Sequence, residues 1–122
     1  MGFDHLGFNV GNFLLSRDFY VSLLAPLDIS VVHETEAWAM FGQDGQGLLW
    51  IGSYGAPPGP VHFALRARDR AAVNAFHAAG IAAGGRDNGA PGLRPQYHPG
   101  YYAAFVLDPD GHNVEAVVHE RT

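Results

Sequence analysis

An internal repeat limits the fold of this chain more than any other feature. His5 and His62 stand 57 residues apart, and so do Phe19 and Phe76. Each histidine lies in a run of alternating polarity. In 3–10 (FDHLGFNV), Leu6, Phe8 and Val10 face one way, and His5, Gly7 and Asn9 face the other. In 61–67 (VHFALRA), Val61, Phe63 and Leu65 oppose His62, Ala64 and Arg66. A period of two marks a half-buried strand. Each phenylalanine lies in a helical pattern. The first covers 13–24, with Leu15, Phe19 and Leu23 at helical spacing, Asn12 as N-cap and Pro26 as the stop. The second covers 69–83, with Ala72, Phe76 and Ala79, closed by Gly84-Gly85.

Strand-rich runs follow each helix. After the first come 28–34, 36–42 and 48–53, with a hairpin turn at 43–47 (QDGQG). The stretch 55–60 (GAPPGP) is a natural connector. After the second helix, 84–100 reads as a polar Gly/Pro-rich loop with room for a short strand. Strands then follow at 101–107 and 112–119, around an Asp108-Pro109-Asp110-Gly111 turn. A repeated unit of strand, helix and about three strands predicts an α+β fold of paired βαβββ modules. Their curved mixed sheet would surround a groove, with the helices outside. One domain is expected over 1–122, with module one at about 1–54 and module two at about 61–120.

Three strands place a polar side chain opposite an apolar face. These are His5, His62 and, in the last strand, Glu115, which opposes Val114, Ala116 and Val118. With the apolar faces on the helices, all three point into the groove, and a one-residue slip would bury them instead. Two imidazoles and a carboxylate suit a divalent metal such as Fe, Zn, Ni, Mn or Co, and leave positions open for substrate. Asn9, Arg66 and His119 share that face. In the 84–100 loop, Arg94 could clamp a substrate carboxylate or carbonyl, and His98 could act as acid or base. His112, in the turn, and His77, on the second helix, read as solvated.

Composition excludes several classes. There is no cysteine, hence no disulfide, thiolate nucleophile or Cys-ligated zinc. All seven basic residues are arginine, so no lysine Schiff base can form. The net charge is −5 with no basic stripe, which argues against nucleic acid as a partner. No apolar run approaches the ~18 residues that span a bilayer, so no membrane partner is expected. The start, MGFDHLGFNV, lacks the features of a signal peptide, and a cytoplasmic home is expected.

Five segments together resemble a known family: DHLGFNV (4–10), SRDFYVSLL (16–24), VHFAL (61–65), RAAVNAFHAAG (70–80) and FVLDPDGHNVEAV (105–117). They are similar to the vicinal-oxygen-chelate superfamily of glyoxalases, extradiol dioxygenases and bleomycin-resistance proteins. The resemblance covers nearly the whole chain. It implies a metal at His5, His62 and Glu115 and a homodimer that completes the groove, in some members with ligands from both subunits. It also implies a small-molecule substrate bound through neighbouring oxygens, with a glyoxalase I-like lyase or isomerase first and an extradiol dioxygenase second. Glyoxalase I usually carries a fourth ligand, a glutamate, in the strand that ends module one; Leu49 or Trp50 stands there. The dioxygenases carry a tyrosine where this chain has Phe105. Tyr101 or Tyr102 could replace that hydroxyl, and Tyr102 joins His98 as the catalytic candidate. The alternative is a metal-free protein that sequesters an apolar ligand, for which Trp38 and Trp50 are available.

Overall fold

The computed structural model describes residues 2–120. Its elements are β1 (Leu6–Asn9), α1 (Phe13–Leu24), β2 (Ser30–Glu34), β3 (Trp38–Gln43), β4 (Gln46–Gly52), β5 (His62–Arg66), α2 (Arg70–Ala82), β6 (Arg86–Leu93), β7 (Tyr101–Leu107) and β8 (Asn113–His119). Paired βαβββ modules are what the repeat builds. Each module has its own mixed sheet, ordered β1-β4-β3-β2 in the first and β5-β8-β7-β6 in the second. β1 runs parallel to β4 and β5 runs parallel to β8; the other pairings are antiparallel.

Both helices start on a side-chain cap. Asn12 Oδ1 accepts from the Leu15 N–H at 3.1 Å, and Asp69 Oδ1 accepts from the Ala72 N–H at 2.8 Å. Each cap satisfies an N–H that has no partner within its own helix. α1 buries Phe13, Ser16, Phe19, Tyr20, Leu23 and Leu24, and ends in a 3₁₀ turn at Ala25–Leu27 that contains Pro26. α2 buries Ala72, Val73, Phe76 and Gly80. Gly80 permits a close crossing: a Cβ there would lie 2.8 Å from Leu23 Cδ1 and 3.0 Å from Val106 Cγ1. The two helices therefore meet each other as well as the sheets. One continuous core runs from Phe8, Phe41 and Ile51 through Phe19, Leu23 and Phe76 to Val106, Val114 and Ala116. No helix among the described residues is long and apolar enough to cross a membrane.

The β3–β4 hairpin turns on Asp44 (φ 50°) and Gly45 (φ 79°), the left-handed pair of a two-residue hairpin loop. The expected loop at 84–100 differs. Most of its first half is an eight-residue edge strand, β6, paired with β7. Its register shifts twice, around Gly89, and Pro91 lies within it, so the residues show no alternation. His112 differs too. It is fully buried, with Nδ1 accepting from the Val61 N–H at 3.0 Å and its ring 4.8 Å from that of Phe8. His77 is mostly covered and sits 2.9 Å from Asp87 Oδ1.

Inside the core, the Tyr20 hydroxyl donates to Asp108 Oδ2 at 2.6 Å. Desolvation, then the charge and hydrogen bond of Asp108 and the charge of Asp110, raises the Tyr20 pKa well above the usual tyrosine range. The folded state thus holds this proton more tightly than the unfolded state. The resulting stability is complete below the unfolded pKa of ~10 and falls as pH rises beyond it. Thermal midpoints measured from pH 8 to 11 are expected to decline at the alkaline end. Tyr20→Phe is expected to start lower and decline less steeply; an equal slope would contradict the assignment.

Candidate metal and substrate site

The groove side of the second sheet is built from alternate residues of three strands. β5 contributes His62, Ala64 and Arg66. β8 contributes Glu115, Val117 and His119, and β7 contributes Tyr101, Ala103 and Phe105. The register sets Glu115 between Ala64 and Phe105, and Tyr101 opposite His119. Residues of opposite phase, among them Val106, Val114 and Ala116, belong to the helix-side core. Ala103, Phe105 and Val117 form a small second core on the groove side, with Tyr101 packed against it. This sheet is therefore apolar on both faces, and one polar cluster crosses it.

That cluster centres on Glu115, which is only 2 % exposed. Its Oε1 lies 2.8 Å from His62 Nε2, and its Oε2 accepts from the Tyr101 hydroxyl. His62 is about half exposed, at 54 %, and opens the pair to the groove. A buried carboxylate needs such partners, because burying an unpaired charge costs several kcal/mol. Burial first, and the Glu115 carboxylate second, raises the Tyr101 pKa beyond the usual tyrosine range, so its hydroxyl remains a donor at neutral pH.

The other candidates are distributed around this centre. Arg94 stacks its guanidinium over Phe105, 5.3 Å from the ring centre, and donates to the Ala90 carbonyl at 2.8 Å. Arg66 lines a surface cavity with Arg68, Val118 and His119, and makes no ion pair among the described residues. His98 Nε2 lies 2.9 Å from His119 Nδ1, the two rings stacked at 20°. Asn9 stays in module one, where its Oδ1 accepts from the Tyr54 N–H at 3.1 Å.

Tyr102 faces the other way. Its hydroxyl donates to Asn74 Oδ1 at 2.7 Å, and Arg70 covers its ring at 4.6 Å. The hydroxyl on the Glu115 face belongs to Tyr101, and Phe105, nearly buried, pairs with Glu115 across the ladder. The pairing of β7 with β8, which sets Tyr101 opposite His119 and Tyr102 opposite Val118, is what distinguishes the two tyrosines.

Among the described residues, His5 completes no three-donor cluster with His62 and Glu115. It precedes β1 and is half exposed, with Nδ1 2.7 Å from Asp4 Oδ1. With Asp4 as acceptor, Nδ1 donates, and among the described residues Nε2 makes no hydrogen bond, the orientation that a carboxylate partner gives a metal-binding histidine. His5 and His62 both border one open cavity of about 470 Å³ between β1 and β5, lined also by Phe3, Leu6, Leu48 and Phe63. Among the described residues no three His, Asp or Glu side chains converge to hold an ion. The donors are of a type that suits a divalent ion, and two of the three, His62 and Glu115, are in contact.

The matching face of the first sheet carries aromatic rings. Trp50 stacks on Tyr54 at 18° and 6.0 Å between ring centres, and Trp38 follows at 6.4 Å. The Trp50 indole crosses Gly52, where a Cβ would approach it to 2.4 Å, and rests on Gly7. Leu49 is in the core. Trp50 therefore holds the groove-facing position in β4, and it has no metal-ligating atom.

A family model described as the Glyoxalase/Bleomycin resistance protein/Dioxygenase superfamily matches residues 2–116. A glyoxalase/bleomycin resistance protein from Albidiferax ferrireducens T118 is similar in structure, with a TM-score of 0.83 and 26% identity over 97% of this chain and 98% of that one. A glyoxalase-related enzyme from Fulvimarina pelagi shares the fold at a TM-score of 0.73 and 20% identity, covering 97% and 88%. So does a lactoylglutathione lyase from Agrobacterium tumefaciens, at 0.71 and 17%, covering 96% and 92%. A search of curated proteins finds no match.

Proposed function

Since this chain belongs to the glyoxalase/bleomycin resistance protein/dioxygenase superfamily, we propose that it is a homodimeric metalloenzyme acting on a small substrate with neighbouring oxygens. His62 and Glu115 of one copy hold a divalent ion together with His5 of a second copy. The supporting observation is the geometry of the donors: one imidazole and one buried carboxylate already touch at 2.8 Å, while among the described residues His5 completes no three-donor cluster with them and its Nε2 makes no hydrogen bond. A second copy supplies that donor without rearranging the core of either chain.

A divalent ion bound there acts as a Lewis acid and template for the substrate oxygens. The chain's own groups do the rest. Trp50, in place of a fourth ligand, leaves coordination positions open. Arg94, stacked over the nearly buried Phe105, can neutralise an anionic substrate group. Tyr101 donates to Glu115 and keeps the carboxylate hydrogen-bonded. A lyase or isomerase of the glyoxalase I kind is the first reaction class, and ring cleavage of a dihydroxy aromatic is the second.

The Trp38–Trp50–Tyr54 shelf favours one other reading, a metal-free protein that sequesters a planar apolar ligand. Elemental analysis of protein purified without chelator separates the two. The enzyme reading predicts about one ion per chain, the stoichiometry of one three-ligand site for each copy. No metal, as purified or after titration, would contradict it. The sequestering reading predicts that a planar aromatic ligand quenches Trp38 and Trp50, the chain's two tryptophans, in the metal-free protein.

A further inference from the structure

We infer that Tyr101 is a positioning residue for Glu115, held in place by a collar of Tyr97, His98 and His119, and that it directs Oε1, the oxygen facing His62 Nε2, toward a cation. The inference rests on the metal-site reading above and concerns a residue outside the ligand set.

The register makes the Tyr101–Glu115 contact a long reach. Tyr101 pairs with His119 across the β7–β8 ladder, and Glu115 pairs with Phe105, four residues further along each strand. The ring must therefore lie along the sheet, over Ala103 and Val117, to bring its hydroxyl to Oε2. A methyl group at Ala103 leaves space for this posture. A tyrosine on a strand otherwise stands away from the sheet, so something must hold it down.

Three rings do so. Tyr97 packs edge-on at 5.0 Å and 66°, His98 at 5.2 Å and 79°, and His119 at 5.2 Å and 87°. Edge-to-face contacts at these separations are the favourable geometry for aromatic pairs. The collar is itself ordered. His98 Nδ1 donates to the Pro99 carbonyl at 2.8 Å, so its Nε2 accepts from His119 Nδ1 at 2.9 Å. The backbone closes the loop behind it, with the Tyr101 N–H donating to the His98 carbonyl and the Arg94 N–H to the Tyr101 carbonyl.

The chemical consequence falls on Glu115. With Oε2 committed to a hydroxyl, only Oε1 remains for a cation on the His62 side. This defines a single-oxygen ligand of fixed orientation, a role typical of an outer partner at metal sites. A phenylalanine at 101 would fill the same space and keep the same ring contacts. It would leave Oε2 without a donor and free the carboxylate to rotate.

The test is a Co(II) titration of the full-length protein, following visible absorbance and affinity, alongside thermal unfolding of the metal-free form. Tyr101→Phe is expected to fold and to bind Co(II) about 10–100-fold more weakly. Its absorption bands are expected to shift as the carboxylate changes its mode of coordination. His119→Ala, an exposed substitution that opens the collar without touching Glu115, is expected to shift affinity and spectrum in the same direction by less. It serves as the test if Tyr101→Phe does not fold. Unchanged affinity and spectrum in the folded variants would overturn the inference and leave the metal site standing. Wild-type protein that binds no Co(II) would overturn the metal-site reading, and the inference with it.

Discussion

Glu115→Gln is expected to abolish metal binding while leaving the metal-free protein at least as stable as the wild type. The glutamine has the same shape. Its amide oxygen still accepts from Tyr101, and its NH₂ still meets His62. What disappears is a negative charge in a position only 2 % exposed, and neutralising a buried charge is often neutral or stabilising for the fold. An uncharged amide oxygen is a poor ligand for a first-row divalent ion. The affinity loss should exceed roughly 100-fold, the upper range for loss of an outer partner alone. Thermal unfolding with and without added metal measures both effects. At about 100 times its Kd, an ion stabilises the wild type by ~2.7 kcal/mol, a gain that the variant should lack. Retention of stoichiometric metal by Glu115→Gln would remove Glu115 from the site.

Asp108→Ala is expected to be the most damaging substitution for the fold. Asp108 is nearly fully buried, and three donors converge on its carboxylate: the Tyr20 hydroxyl at 2.6 Å, the Asp110 N–H at 2.9 Å and the His112 N–H at 2.8 Å. Alanine leaves these donors unpaired, at ~1–3 kcal/mol for each that stays dry. A total loss of about 3–4 kcal/mol is expected, read as a lower urea midpoint at unchanged slope. A loss below about 1 kcal/mol would contradict this role. The effect should reach the site as well. Asp108 holds the turn that sets the phase of β8, and a slip of one residue would turn Glu115 from the groove into the core. Asp110 extends the same anchor to module one, its carboxylate accepting from the Gly11 N–H at 3.3 Å.

The features legible in the sequence are those set by local periodicity. His62 opposes Phe63 and Leu65, and Glu115 opposes Val114 and Ala116, because one face of each strand packs on the helices; that contrast is visible in the residues themselves. β6 was legible only as room for a short strand within a loop, since Gly89, Pro91 and two register shifts leave it no alternation. β7 was legible as a strand but not in phase. Ala103, Ala104, Phe105 and Val106 are all buried because both faces of that sheet are covered, so Tyr101 and Tyr102 look equivalent until the pairing with β8 is known. His112 reads as a turn residue, yet Val61, 51 positions away, donates to its ring. The repeat makes His5 and His62 equivalent within their modules. How the two modules dock is written in no local pattern, and docking is what decides which donors share a site.

The most direct test of the central claim, that one site takes its ligands from two chains, mixes two inactive parents. His5→Ala lacks the donor from module one and Glu115→Ala lacks the carboxylate of module two, so neither homodimer can form a complete site. After unfolding and refolding together, a mixed dimer would join His5 of the Glu115→Ala chain to His62 and Glu115 of the His5→Ala chain, giving one intact site. Metal binding, absent from each parent, is expected to return in the mixture and to co-purify with the mixed dimer. Mixed dimers that remain without metal, beside wild-type protein that binds it, would contradict a shared site.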